Sequence, residues 1–121
     1  MTQTSITKHG FDLEERTLVF AKQVIHLCKM VDQNPVNREL ISQLIRASGS
    51  VGANYREAND ALSKKDFGHR IKITRREAKE AHYWLQLLEE ANPALNGETK
   101  GLLGEALELK KIFSSIADKA L

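Results

Sequence analysis

One cysteine, two prolines and 6% aromatic residues among 121 positions exclude a good deal before any pattern is read. A lone Cys28 can make neither an internal disulfide nor a thiolate zinc cluster. No apolar run approaches the roughly 20 residues of a membrane span, and the polar residues 1–10 contain no apolar signal-peptide centre. The expected setting is therefore cytoplasmic and reducing, with no membrane contact. No glycine-rich phosphate loop occurs, and no serine or cysteine triad can be assembled. A di-iron bundle needs two Glu-x-x-His steps, but the residues three before His26, His69 and His82 are Gln23, Asp66 and Lys79. No metal, no cofactor and no catalytic residue is expected.

What is present is helical periodicity. Leu40, Leu44, Ala47, Val51, Tyr55, Ala58 and Leu62 recur at steps of three and four, and Phe67, Ile71, Thr74, Ala78, Ala81, Leu85 and Leu88 repeat the rhythm. At 100° per residue each set forms one stripe that must be buried. Flanking segments carry matching stripes: Leu13, Phe20, Val24, Leu27, Cys28 and Val31 before, and Leu102, Ala106, Leu109, Phe113 and Ile116 after. The composition, rich in Leu, Ala, Glu and Lys, agrees with an all-α class.

Punctuation divides these stripes into four helices. Asp12 is expected to cap a first helix that ends near Asp32, before Pro35. Asn34 or Asn37 caps a second helix reaching about Leu62. Ser63 with Asp66 reads as a capping box opening a third helix over about 64–91, and Asn92-Pro93 separates it from a fourth over about 98–120. Short links between long helices predict an up-down-up-down antiparallel four-helix bundle at 11–121, preceded by a flexible segment at 1–10.

The net charge of +2 is mild, but its distribution is not. Residues 63–82 hold seven Lys/Arg against three acids, whereas 83–108 hold one against five. Lys72, Arg76, Lys79 and Tyr83 form a row on the third helix, with Lys65 and Arg75 alongside. Cations on one line can track phosphates, and a tyrosine can stack on an unpaired base. Glu77 and Glu80 interrupt an otherwise apolar strip and need partners, for which Arg46 and Arg56 are the candidates. Gln43, Ser50, Asn54 and Glu57 line one flank of the second helix and are expected to bond across to its neighbour.

The apolar surface exceeds what one bundle hides. Ile41, Ile45, Gly49 and Gly52 lie beside the main stripe of the second helix, and Leu18, Ala21 and Ile25 lie outside that of the first. Glycine inside a helix costs about 1 kcal/mol relative to alanine, so a spaced pair signals close approach of backbone. Packing within one subunit or between subunits would each account for it. The breadth of apolar coverage favours oligomerisation.

The run Arg46-Ala-Ser-Gly-Ser-Val-Gly-Ala-Asn-Tyr-Arg-Glu-Ala-Asn59, followed by Glu77-Ala-Lys-Glu-Ala-His-Tyr-Trp-Leu85, resembles a bacterial family. It is similar to the four-helix-bundle proteins first noticed in intervening sequences of large-subunit ribosomal RNA genes. Arg46, Ser50-Val51, Asn54, Glu57, Glu80 and Leu85 carry the pattern, which extends from about Phe11 to the C-terminus. Asn59 and Glu77 depart from it, where many members have glycine and a small residue. The resemblance implies a bundle assembled into a ring, commonly a homopentamer, and implies no established enzymatic activity. The family's genetic context implies RNA association, and a related bundle serves as an accessory subunit of a reverse transcriptase.

The leading expectation is thus a homo-oligomeric scaffold, pentameric by resemblance, that meets structured RNA or a nucleoprotein partner through the basic face. A scaffold that binds only proteins is the alternative. A more distant one is a magnesium-dependent nucleotide pyrophosphohydrolase using Glu57-x-x-Asp60 and Glu77-x-x-Glu80. In such enzymes the Glu-x-x-Glu pair comes first, the reverse of the order here.

Overall fold

The computed structural model describes residues 10–120, with side chains from Leu13 onward. Four helices follow one another: α1 (Gly10–Lys29), α2 (Pro35–Asn59), α3 (Lys64–Ala91) and α4 (Asn96–Lys119), with a 3-10 turn at Pro93–Leu95 before α4. They form the all-α, up-down-up-down antiparallel bundle that the four stripes predict. Each helix packs on two neighbours; α2–α3 is the broadest contact and α1–α4 the narrowest. Cross-links at the ends fix the directions. Glu14 near the start of α1 reaches Arg56 near the end of α2, and Asn37 near the start of α2 reaches Asn92 just past α3.

The four apolar stripes meet in one core. Phe20, Val24, Leu44, Val51, Ile71 and Leu85 are among its fully buried side chains, each stabilising the fold by about 1.5–3 kcal/mol relative to exposure. Tyr55 of α2 and Phe113 of α4 meet across the centre with ring centroids 5.3 Å apart. Three threonines also lie in the core. Thr17, Thr74 and Thr99 donate to the carbonyls of Leu13, Arg70 and Leu95, four residues earlier, so no hydroxyl is stranded.

The helix boundaries refine the sequence expectations. The segment at residues 1–9 lies outside the described residues, but Gly10, expected to be loose, already belongs to α1. Asp12 therefore falls within the first turn and is not the cap. Asn34, not Asn37, caps α2: its Oδ1 accepts from the Asn37 amide at 2.8 Å, with Pro35 at the first helical position. Ser63 caps α3 through the Asp66 amide at 3.0 Å. The largest departure is Leu62. It fits the α2 stripe by spacing, yet α2 ends at Asn59 and Leu62 is 97% exposed in the α2–α3 turn.

Candidate nucleic-acid interface and assembly faces

Seven residues per two turns place Lys72, Arg76 and Lys79 on the side of α3 opposite its core stripe. The structure adds a second wall. An open groove of about 540 Å³ runs between α3 and α4, and Lys72, Arg75, Arg76 and Lys79 line it together with His69, Lys110 and Ser114. Five of the side chains lining this groove are Lys or Arg, and none is a carboxylate. Lys110 and Ser114 come from α4, 31 or more positions beyond Lys79 in the chain, and periodicity within α3 could not have found them. Lys65 and Tyr83 do not line the groove. Both are exposed on the same line of α3, Lys65 toward its start and Tyr83 one turn past Lys79. The Tyr83 ring stands edge-on to Trp84, with centroids 5.2 Å apart.

Beside the groove lies the carboxylate cluster. Glu77 is buried and Glu80 half-buried, and Arg46 reaches both from α2, with Nη2 3.1 Å from Glu80 Oε1 and Nη1 3.6 Å from Glu77 Oε1. Arg76 approaches the other Glu77 oxygen at 3.9 Å, tying the cluster to the groove. Glu77 Oε1 has no hydrogen-bond partner among the described residues, so Arg46 compensates its charge without a close hydrogen bond.

The rest of the expected polar network is arranged differently. Arg56 does not reach α3: it pairs with Glu14 of α1 at 3.9 Å. Gln43 bonds Glu39 of its own helix. Asn54 donates to the Ser50 carbonyl at 2.9 Å and accepts from Arg70 of α3 at 3.1 Å, so the bond to the neighbouring helix runs through Arg70. Glu57 is exposed and has no ion-pair partner among the described residues. A further cross-link joins α1 to α4: Arg16 grips Glu105 through two hydrogen bonds of 2.7 and 2.9 Å. Opposite charges 89 positions apart carry no signal in a single sequence.

The expected contact residues split. Ile41 and Ile45 line an open groove of about 480 Å³ between α1 and α2, with Ile25, Cys28, Lys29 and Arg38. Burial pushes the Cys28 thiol up to about 11. Gly49 faces open space, but Gly52 does not. A Cβ there would meet Thr17 Oγ1 at 3.0 Å, so the absent side chain serves close approach of α1 to α2 within one chain.

The model of the family described as 23S rRNA-intervening sequence protein matches residues 11–115. The chain belongs to this family. It is also similar to a protein of unknown function from the S23 ribosomal protein family of Bacteroides thetaiotaomicron VPI-5482, whose crystal structure was determined at 1.70 Å. The two share 29% identity with a TM-score of 0.78, over 90% of this chain and 97% of that one. No curated protein matches.

Within this family bundle the carboxylates invoked for the pyrophosphohydrolase alternative do not converge. Glu57 is exposed, while Glu77 and Glu80 are engaged by Arg46. Among the described residues no three His, Cys, Asp or Glu side chains come close enough to hold a metal ion. Nor is any described helix long and apolar enough to cross a membrane.

Proposed function

We propose that this intervening-sequence family bundle is a non-enzymatic cytoplasmic scaffold that assembles with copies of itself, five to a ring, and holds structured RNA. The observation that carries this reading is the α3–α4 groove, where Lys72, Arg75, Arg76, Lys79 and Lys110 converge and outnumber the one acid, Glu77, that reaches Arg76 from beside it. Cations gathered on one surface displace the counterions of a phosphate backbone, and the gain grows with the number of phosphates neutralised. One groove engages few phosphates. A ring repeats it around the symmetry axis, so one RNA can meet several copies and bind by avidity. Exposed Ile25 and Ile45 support the self-association on which that repetition depends.

The test is the salt dependence of binding to a structured RNA. Replacing Lys72, Arg76 and Lys79 by alanine lowers the slope of log K against log salt by about 2–3 per subunit engaged, at roughly 0.7–0.9 per phosphate contact. No RNA affinity at low salt overturns the RNA role and leaves a scaffold for proteins. Light scattering tests the assembly, which is expected at about five times the 13.6 kDa chain mass.

A further inference from the structure

The cations of the α3–α4 groove are denser than a passing nucleic-acid strand can match. Lys72, Arg75, Arg76 and Lys79 fall within one stretch of α3, and Lys110 joins them from α4 around a groove of about 540 Å³. The seven steps from Lys72 to Lys79 cover about 10 Å of helix axis. Among the described residues Lys72, Arg75, Lys79 and Lys110 make no ion pair, and Arg76 meets Glu77 only at 3.9 Å. Glu77 and Glu80, the α3 carboxylates nearest this stretch, are engaged by Arg46 of α2. His69, Ile73 and Ser114 line the rest of the groove and bring no negative charge. A strand carries one diester charge per about 3.4 Å of duplex axis, so about three phosphates would pass along a span that holds five cations. A phosphate chain ending in a monoester is more compact, because its terminal group alone carries about 1.5–2 charges at pH 7.

We infer that this groove takes a nucleoside-linked triphosphate, carried either by the 5′ end of an RNA or by a free nucleotide. The inference rests on the RNA-binding reading above and names the part of the ligand that the groove holds. Arg75 and Arg76 offer planar forks for bidentate contact with phosphate oxygens, while Lys72, Lys79 and Lys110 act as point charges on the rest of the chain. Ser114 adds a hydroxyl donor from the α4 wall. Tyr83 extends the site. Its ring is 53% exposed and lies on the same line of α3, four residues or about 6 Å past Lys79. With the triphosphate among the cations, the ribose covers that step and the first base stacks on the ring. A diester further along a strand has neither the extra charge nor a free end to place in the groove.

The experiment compares one RNA hairpin, labelled at its 3′ end, bearing a 5′-triphosphate, a 5′-monophosphate or a 5′-hydroxyl, by fluorescence anisotropy. The triphosphate form is expected to bind at least about tenfold more tightly than the hydroxyl form, with the monophosphate between. Lys110→Ala is expected to cut that preference to about threefold or less. Lys111→Ala removes the same charge from an exposed position of α4 outside the groove and is expected to leave the preference intact. Circular dichroism verifies that both variants are folded. Competition with GTP separates the sources: displacement at concentrations comparable with the RNA assigns the groove to the free nucleotide, and displacement only at large excess assigns it to the RNA end. Equal binding of the three hairpins, or a preference untouched by Lys110→Ala, overturns the triphosphate inference and leaves the RNA reading standing. Calorimetric binding of GTP with no binding of any hairpin keeps the triphosphate site and overturns the RNA reading. Binding of neither overturns both.

Discussion

Asn37 and Asn92 exchange hydrogen bonds across the end of the bundle. Asn37 Nδ2 donates to Asn92 Oδ1 at 3.0 Å, and Asn92 Nδ2 donates back to Asn37 Oδ1 at 2.8 Å. Each amide spends its other N–H on a backbone carbonyl at 2.9 Å, Asp32 for Asn37 and Leu88 for Asn92. The pair thereby ties the α1–α2 turn to the end of α3, with Asn37 only 1% exposed.

Removing Asn92 leaves the buried Asn37 amide with unmet hydrogen-bonding groups, and removing Asn37 does the same to the half-buried Asn92 and to the Asp32 carbonyl, at about 1–3 kcal/mol beyond the lost bond. Asn37→Ala is therefore expected to lower unfolding free energy by about 2–3 kcal/mol in urea titration, with a comparable effect from Asn92→Ala. The double variant should lose clearly less than the sum, because each single change already breaks the same exchange. Additive losses would show that the two side chains act independently.

Arg46 and its two carboxylates make a sharper contrast. Glu80 is 43% exposed by side chain, so its pairing contributes little in water, whereas the Glu77 side chain is 9% exposed and needs a nearby cation. Glu80→Ala is expected to change stability by less than about 0.5 kcal/mol. Arg46→Ala should cost about 1–3 kcal/mol, and adding Glu77→Gln should restore much of it by removing the uncompensated charge. Chemical denaturation of the three variants decides the matter; equal effects of Arg46→Ala and Glu80→Ala would refute it.

The contrast between Leu62 and the cationic groove shows what a sequence can carry. Periodicity reported the core stripes well because burial imposes one face on a helix, and Val24, Leu44, Ile71 and Leu109 are all fully buried. It also placed Leu62 on the α2 stripe, although the chain leaves the helix three residues earlier. Spacing alone does not register that the backbone has stopped turning. Lys72, Arg76 and Lys79 were legible as a row within one helix, but Lys110, Ser114 and His69 join them only through the α3–α4 packing. The Arg46 pairing with Glu77 and Glu80 was anticipated from the need to compensate buried acids. The Arg56–Glu14 and Arg16–Glu105 pairs lie beyond what spacing within one helix reports, because tertiary register settles which opposite charge a cation meets.

Cys28 provides a pH test. Burial raises its thiol from 9.0 to about 11, so the folded protein favours the neutral form more than the unfolded chain does. A group with a raised folded-state value contributes stability that is complete below the unfolded value and is lost as pH rises through the folded one. The advantage of wild type over Cys28→Ala is thus expected to shrink by roughly 2 kcal/mol between about pH 9 and pH 11. Thiol-reactive dyes at pH 8 should label the native protein far more slowly than the urea-unfolded chain. Equal labelling rates would mean that the thiol is accessible in the fold.

Gly52 and Gly104 should respond to the same substitution with opposite signs. Both are helical, and alanine in an unobstructed helix position stabilises by about 1 kcal/mol relative to glycine. At Gly104 nothing lies within 4 Å of a new Cβ, so Gly104→Ala is expected to raise stability by about that amount. At Gly52 the methyl would stand 3.0 Å from Thr17 Oγ1 and 3.3 Å from Thr17 Cβ. Thr17 cannot readily yield: it is fully buried, and its hydroxyl donates to Leu13 O at 2.7 Å. Gly52→Ala must therefore push α1 from α2, and its expected cost of about 1–3 kcal/mol outweighs the helix-propensity gain. Thr17→Ala in the Gly52→Ala background should recover part of the loss by removing the obstructing atoms. Thermal or urea unfolding in which Gly52→Ala is as stabilising as Gly104→Ala would show that the α1–α2 contact is looser than these distances require.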